Sequence, residues 1–372
     1  MSQPVSYRVV GNVGVITIDN PPVNAFSHAV RKGLHDTMSD AIADATGILL
    51  IVCAGRTFVA GADISEFGKP PADPWLPEVL DNIENSPKPV VTAVHGTALG
   101  GGFELVLASH YRCAIASAKV GLPEVHLGLL PGAGGTQRAP RLAGVQAALE
   151  LMTSGRPISA AKARAVGLLD EVFDDDLESN ALAWCEKLLA EGKAPVKVSE
   201  MTVPAPAAGL FDAARKELNK RARGQLAPFK IVDCVEAATR LDFARGSEFE
   251  RESFMECMAS PQSAAMRHLF FAEREAAKVH DLPKSTEIRE IRSVAVIGGG
   301  TMGGGIAMSC ANVGLAVTLL EVDDAALERG FGVIEGNYAK TVKKGRLSPE
   351  EAELRRGRIV GTTDYGDLAD VD

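Results

Sequence analysis

Along roughly the first 170 residues, apolar and polar positions alternate between two kinds of pattern. Short runs that are apolar throughout and bounded by Gly or Pro read as strands covered on both faces. They are VGVITIDNP (Val13 to Pro21), GILLIVCAG (Gly47 to Gly55), PVVTAVHG (Pro89 to Gly96) and YRCAIASA (Tyr111 to Ala118). Ala29 to Ala45 carries the helical pattern instead. Strands interleaved with helices predict an α/β architecture. SAAKARAVGLLDEVF (Ser159 to Phe173) reads as a capped helix stopped by glycine, then a short strand. KPPADPWLP (Lys69 to Pro77) is proline-rich and expected to be a mobile loop.

From Glu178 onward the pattern is almost purely helical, as in LAWCEKLLAEG and FDAARKELNKRARG, with a looser stretch from Val196 to Leu210. Helical signals resume from Ile231 to Val279, break near Ser260 and Pro261, and end in the linker HDLPKSTEIREI. A new βαβ start follows: strand and glycine turn in SVAVIGGG (Ser293 to Gly300), helix in TMGGGIAMSCANVG, strand in LAVTLLEVDD, then a helix from Ala325 to Lys344. A doubly wound dinucleotide domain has two such halves, so this third domain is expected to be incomplete. The expected division is 1–190, a helical linker 191–290, and 291–372.

Composition narrows the class. Apolar residues make up 46% and charged residues 23% of 372, which suits a packed core rather than disorder. The net charge of −9, with no Lys/Arg block, argues against nucleic acid as a partner. No apolar run reaches the roughly 18 residues of a membrane span, and MSQPVSYRVV lacks the form of a signal peptide. Six cysteines without CxxC spacing read as buried thiols in a reducing compartment. The expectation is a soluble intracellular protein with no membrane partner, cytoplasmic, or peroxisomal in a eukaryote. Seven histidines show no HxxxH or HxH spacing, so no metal is expected.

Two glutamates carry the candidate chemistry. Glu104 lies in GTALGGGFELVLA, one turn into a helix opened by a glycine run. Such an opening gathers unpaired N–H groups and the positive end of a helix dipole at one point. An oxyanion site and a carboxylate would then lie side by side. Glu124, in VGLPEVHLGLLPGAGGTQR, offers a second acid or base, and FVAGADISEF (Phe58 to Phe67) supplies a third segment.

These segments resemble the crotonase (enoyl-CoA hydratase/isomerase) superfamily: AGADI at Ala60 to Ile64, GGGFE at Gly100 to Glu104, and LPEVHLGLLPGAGGTQRAPRLAG from Leu122 to Gly144. The resemblance covers about the first 190 residues. It implies a spiral of ββα turns with the active site between two layers. It further implies an oxyanion hole from the N–H groups of Ala60 and Gly101, gripping an acyl-CoA thioester. Gly61, Ala62 and Asp63 would complete that loop, Asp63 by holding its shape. Glu104 and Glu124 match the family's catalytic pair, holding a water over an enoyl double bond, with Glu124 protonating the α-carbon. The pair favours hydration and leaves Δ3-Δ2 isomerisation open; GAGGTQR (Gly132 to Arg138) opens a helix and takes no catalytic step.

VAVIGGGTMGGGIA places Gly298, Gly300 and Gly303 in GxGxxG spacing after a strand and at a helix start, with Thr301 and Met302 between them. Glu321 ends the next strand, where an acidic residue accepts from the adenosine ribose and disfavours a 2′-phosphate, so NAD is the expected cofactor. The same stretch resembles the opening of L-3-hydroxyacyl-CoA dehydrogenases. In this order the domains resemble the multifunctional fatty-acid β-oxidation enzymes. That resemblance implies CoA as part of the substrate, a possible thiolase partner, and a monomer or dimer, because the helical segment would cover the surface used for trimers. Two other readings stay open: isomerase only, or a non-catalytic module binding acyl-CoA or NAD.

Overall fold

The structure, a computed structural model, describes residues 3–66, 72–276, 278–279, 281–283 and 285–372. Phe67, Lys69 to Pro71 of the proline-rich stretch and His280 of the linker lie outside the described residues. The chain divides into two compact units, Met1–Lys278 and Val279–Asp372.

In the first unit the strands are β1 (Val5–Val10), β2 (Val13–Ile18), β3 (Ile48–Cys53), β4 (Val90–Val94), β5 (Thr97–Leu99), β6 (Tyr111–Ile115), β7 (Lys119–Gly121), β8 (Ile158–Ser159) and β9 (Glu171–Phe173). The main sheet runs β1-β2-β3-β4-β6-β9, and β5-β7-β8 form a small second sheet. Only the β1-β2 pairing of the main sheet is antiparallel; the other pairings are parallel. β3 and β4 are buried at every residue, which is why they read as unbroken apolar runs. β1 is largely exposed, and its pattern gave no such signal.

The helices of this unit are α1 (His28–Ala43), α2 (Leu76–Glu84), α3 (Gly101–Ala108), α4 (Gly135–Ser154), α5 (Ala160–Ala165), α6 (Leu177–Ala190), α7 (Leu210–Arg221), α8 (Ala227–Ala238), α9 (Phe243–Ala259) and α10 (Pro261–Ala276). Ser27 caps α1 through its side chain, and Pro261 starts α10 where the sequence pattern breaks. Arg31 of α1 donates to the Pro74 carbonyl at 3.0 Å, and the end of the proline-rich stretch, from Leu76, opens α2. α8 and α9 pack on α4, and Ile231, Val232, Cys234, Val235 and Cys257 join the main core. The segment expected to be a linker from residue 191 is thus part of the first unit, and the division falls at 278/279. Its apolar positions are core positions, which periodicity alone does not distinguish from a solvated spacer.

In the second unit β10 (Ser293–Ile297), β11 (Ala316–Leu320) and β12 (Ile359–Thr362) form a parallel sheet in that order. With them go α11 (Thr301–Asn312), α12 (Asp324–Lys343) and α13 (Pro349–Gly357). Val296, Ala307, Leu319, Ile334, Tyr338 and Ile359 make its core. Among the described residues no helix is long and apolar enough to cross a membrane.

Candidate active site

β4, β5 and a tight glycine turn deliver the chain to α3. Gly100 precedes the helix at φ 52°, a left-handed value, and a Cβ built there would lie 2.8 Å from Glu124 Oε1. Two residues on, a Cβ at Gly102 would come within 2.2 Å of the Val59 carbonyl oxygen. Only a chain without side chains at these points lets α3 press against both the Phe58–Ala62 segment and Glu124.

α3 is buried at every residue, so Glu104 is 3% exposed. Its Oε1 accepts from the N–H groups of Ala133 and Gly135, each at 2.8 Å. Those donors belong to the turn that opens α4, where N–H groups have no helical partner. Burial raises the Glu104 pKa, while these two donors and the Arg138 charge act in the opposite direction.

Glu124 begins a short 3-10 turn, Glu124–Leu127, that ends at left-handed Gly128. Its Oε2 is enclosed and, among the described residues, has no hydrogen-bond partner. Burial, then the charge of Glu104, hold its pKa well above the usual carboxylate range. Two neighbouring carboxyls thus differ in environment: one accepts fixed donors, the other has an unsolvated oxygen. That difference is how a pair is divided into base and acid.

The expected oxyanion donors need one correction. Ala60 N–H donates to the Val23 carbonyl at 3.1 Å, so that hydrogen is already engaged. Ala62 is the residue facing α3: a Cβ built on Gly101 would lie 3.8 Å from Ala62 N. Gly101 is the first residue of α3, where a free N–H is expected. Gly61 and Ala62 join their segment to Phe26 through a Gly61 carbonyl bond and a bridge, and Asp63 N–H donates to Phe26 O at 3.3 Å.

Two further groups escaped the reading of the sequence. Arg138, at the end of GAGGTQR, is 1% exposed, bonds Glu84 from Nε and Nη2 at 3.1 and 2.7 Å, and donates to the Ala133 carbonyl at 3.0 Å. Glu250 of α9 is 2% exposed and binds the same turn from another side. Its signal was present: Gly246, Glu250, Ser253 and Cys257 recur at helical spacing, placing a glutamate on a buried face of small residues.

In the second unit Gly298 takes φ 91°, and a Cβ at Gly303 would stand 1.7 Å from the Gly298 carbonyl oxygen. At Gly300, the residue before α11, a Cβ would meet nothing within 4 Å. A cradle of this shape, leading to the N–H groups of Thr301 and Met302, fits a pyrophosphate. Glu321 reaches the turn itself: Oε1 accepts from Gly299 N–H at 2.6 Å and Oε2 from Val322 N–H at 3.2 Å.

Comparison with known proteins places both units. The family profile described as enoyl-CoA hydratase/isomerase matches residues 8–222, and that of the 3-hydroxyacyl-CoA dehydrogenase NAD-binding domain matches 293–372. A peroxisomal bifunctional enzyme of Danio rerio is 43% identical over 346 residues, 91% of this chain and 48% of that protein. A peroxisomal fatty acid beta-oxidation multifunctional protein of Arabidopsis thaliana is 34% identical over 377 residues, 97% of this chain and 52% of its own length. The chain therefore spans about half the length of the curated relatives it matches. An enoyl-CoA hydratase/isomerase from Pseudoalteromonas atlantica shares the fold, with TM-score 0.54 and 24% identity, covering 73% of this chain and 97% of its own.

Proposed function

The chain belongs to the enoyl-CoA hydratase/isomerase family and carries after it the NAD-binding domain of 3-hydroxyacyl-CoA dehydrogenases, and from that premise we propose that its first unit hydrates trans-2-enoyl-CoA to 3-hydroxyacyl-CoA. The observation that carries the reading is the Glu104–Glu124 pair beside the Ala62 and Gly101 N–H groups. The thioester oxygen would lie between those two N–H groups. Addition of water to the double bond builds enolate charge on that oxygen, and each fixed donor stabilises it by about 3 kcal/mol in a dry site.

Environment assigns the proton steps. Glu104, whose ionised form the N–H groups of Ala133 and Gly135 favour against the effect of burial, takes a proton from water as it attacks the β-carbon. Glu124, kept protonated by burial, gives its proton to the α-carbon. Δ3-Δ2 isomerisation belongs to the same proposal: starting from the ionised form, Glu124 takes a proton from the α-carbon and returns it to the γ-carbon, so one carboxylate suffices.

The second unit would hold NAD through Gly298, Gly300, Thr301, Met302 and Gly303, with Glu321 beside the ribose. NAD accepts a hydride when bound; the residues described supply its binding and orientation. Oxidation of the hydroxyacyl product by the whole protein is part of the same proposal, in keeping with relatives named bifunctional and multifunctional.

The test is the loss of conjugated-enoyl absorbance when crotonyl-CoA meets this chain without NAD. A fast decrease is expected. An unchanged spectrum with acyl-CoA bound would refute the hydratase reading.

A further inference from the structure

One enclosed carboxylate has no part in the steps above. Glu250 lies on α9, outside the residues matched by the hydratase profile. Its Oε1 accepts from Gly134 N–H at 2.6 Å, and its Oε2 accepts from Thr136 N–H at 2.9 Å and from the Thr136 hydroxyl. Gln137 Nε2 donates to that hydroxyl oxygen at 2.9 Å, which leaves the hydroxyl hydrogen for Glu250. Four successive N–H groups therefore alternate between two carboxylates: Ala133 and Gly135 to Glu104, Gly134 and Thr136 to Glu250. Adjacent N–H groups are linked through planar peptides, so a shift at Gly134 or Thr136 is passed to Ala133 and Gly135.

We infer that Glu250 is a positioning residue for the hydration step: by gripping Gly134 and Thr136 it sets the turn that orients and charges Glu104. The inference rests on the hydratase reading. The contact is electrostatic as well as geometric. Burial, then the Glu104 charge, push Glu250 up to about 8. The groups whose charges act with it are Glu104 on α3, Glu124 on the 3-10 turn, Cys234 on α8 and, through Glu104, Arg138 on α4.

Glu250→Gln tests this, because its amide nitrogen would have to face an N–H donor. Hydration kcat is expected to fall roughly 10- to 100-fold, as for a small misplacement of a reacting group, with KM little changed. Its acidic limb should move to higher pH, since a loosened turn weakens the Ala133 and Gly135 donors that favour the Glu104 carboxylate. Glu250→Asp keeps two acceptor oxygens for Gly134 and Thr136 and should bring the limb back toward its parental position. Carbon-13 carboxyl titration of Glu104 reads the same coupling without turnover, and its midpoint should rise in Glu250→Gln. An unchanged kcat and an unchanged Glu104 midpoint would overturn the inference. If the parent chain did not hydrate crotonyl-CoA, the hydratase reading would fail by itself, and the titration would still decide whether Glu250 sets Glu104. Should Glu250→Gln not fold, Thr136→Val replaces it, because it removes the hydroxyl bond that anchors the turn to Glu250: the same raised midpoint is expected, and an unmoved one counts against the inference.

Discussion

Glu104 Oε1 and Gly135 N–H are joined at 2.8 Å, linking the first turn of α3 to the first residue of α4. The bond has no slack, because a Cβ on Gly135 would lie 2.8 Å from Glu104 Oε1 and 2.7 Å from Pro131 Cβ. Gly135→Ala is therefore expected to displace the carboxylate. Overpacking of this kind costs about 1–3 kcal/mol, and moving a reacting group costs kcat roughly 100-fold. Thermal melts and crotonyl-CoA kinetics check both; parental kcat would contradict the geometry.

Arg138 and Glu84 form a buried ion pair at 2.7 Å, and Glu84 also accepts from Ser199 N–H at 2.8 Å. Arg138→Met leaves Glu84 charged and enclosed, a loss of about 3–5 kcal/mol. Replacing both residues with Met should recover much of that. Both tryptophans, Trp75 and Trp184, lie in the first unit, so their fluorescence in urea reports its stability. A loss below about 1 kcal/mol in the single variant would show the pair is not buried as described.

The raised carboxyls make a signed prediction. A carboxyl whose folded pKa exceeds its unfolded value near 4.5 binds more protons in the native state over the interval between them. Its contribution to stability is complete below the unfolded pKa and is lost as pH rises through the folded value, about 8 for Glu250. Between pH 5 and 9, Glu250→Gln should therefore lose less stability than the parent. Comparing the two chains cancels other slopes, such as that of His110, whose pKa burial lowers. Parallel stability curves would contradict the prediction.

In the second unit, Gly303→Ala places a methyl where the Gly298 carbonyl oxygen stands, 1.7 Å away. The turn must open, and the cradle for the pyrophosphate is lost. Calorimetry should detect NAD binding to the parent and none to the variant. Equal binding would remove the glycine turn from the NAD site.

The buried parallel strands were legible because their environment leaves nothing but apolar residues, as in ILLIVC of β3. Glu104, Glu124 and the glycine turns were legible because motifs concentrate them within a few residues. The assignment of Ala62 rather than Ala60 to the α3-facing position was not, since hydrogen-bond direction along AGADI depends on the Phe26 bridge. Glu250 was hidden by distance: 146 residues beyond Glu104 in sequence, it meets the same turn only because α9 packs on α4. The helical segment read as a linker for a similar reason, its apolar face having no visible partner until α8 met α4.

The most direct test of the central claim is the hydration rate of crotonyl-CoA by Glu104→Gln, Glu124→Gln and the double variant. General acid–base groups of this kind contribute roughly 100- to 10,000-fold each, and residues acting as a unit lose their effects non-additively. Each single variant should therefore fall in that range, with the double variant little worse than the weaker single. Parental hydration by either single variant would contradict the account.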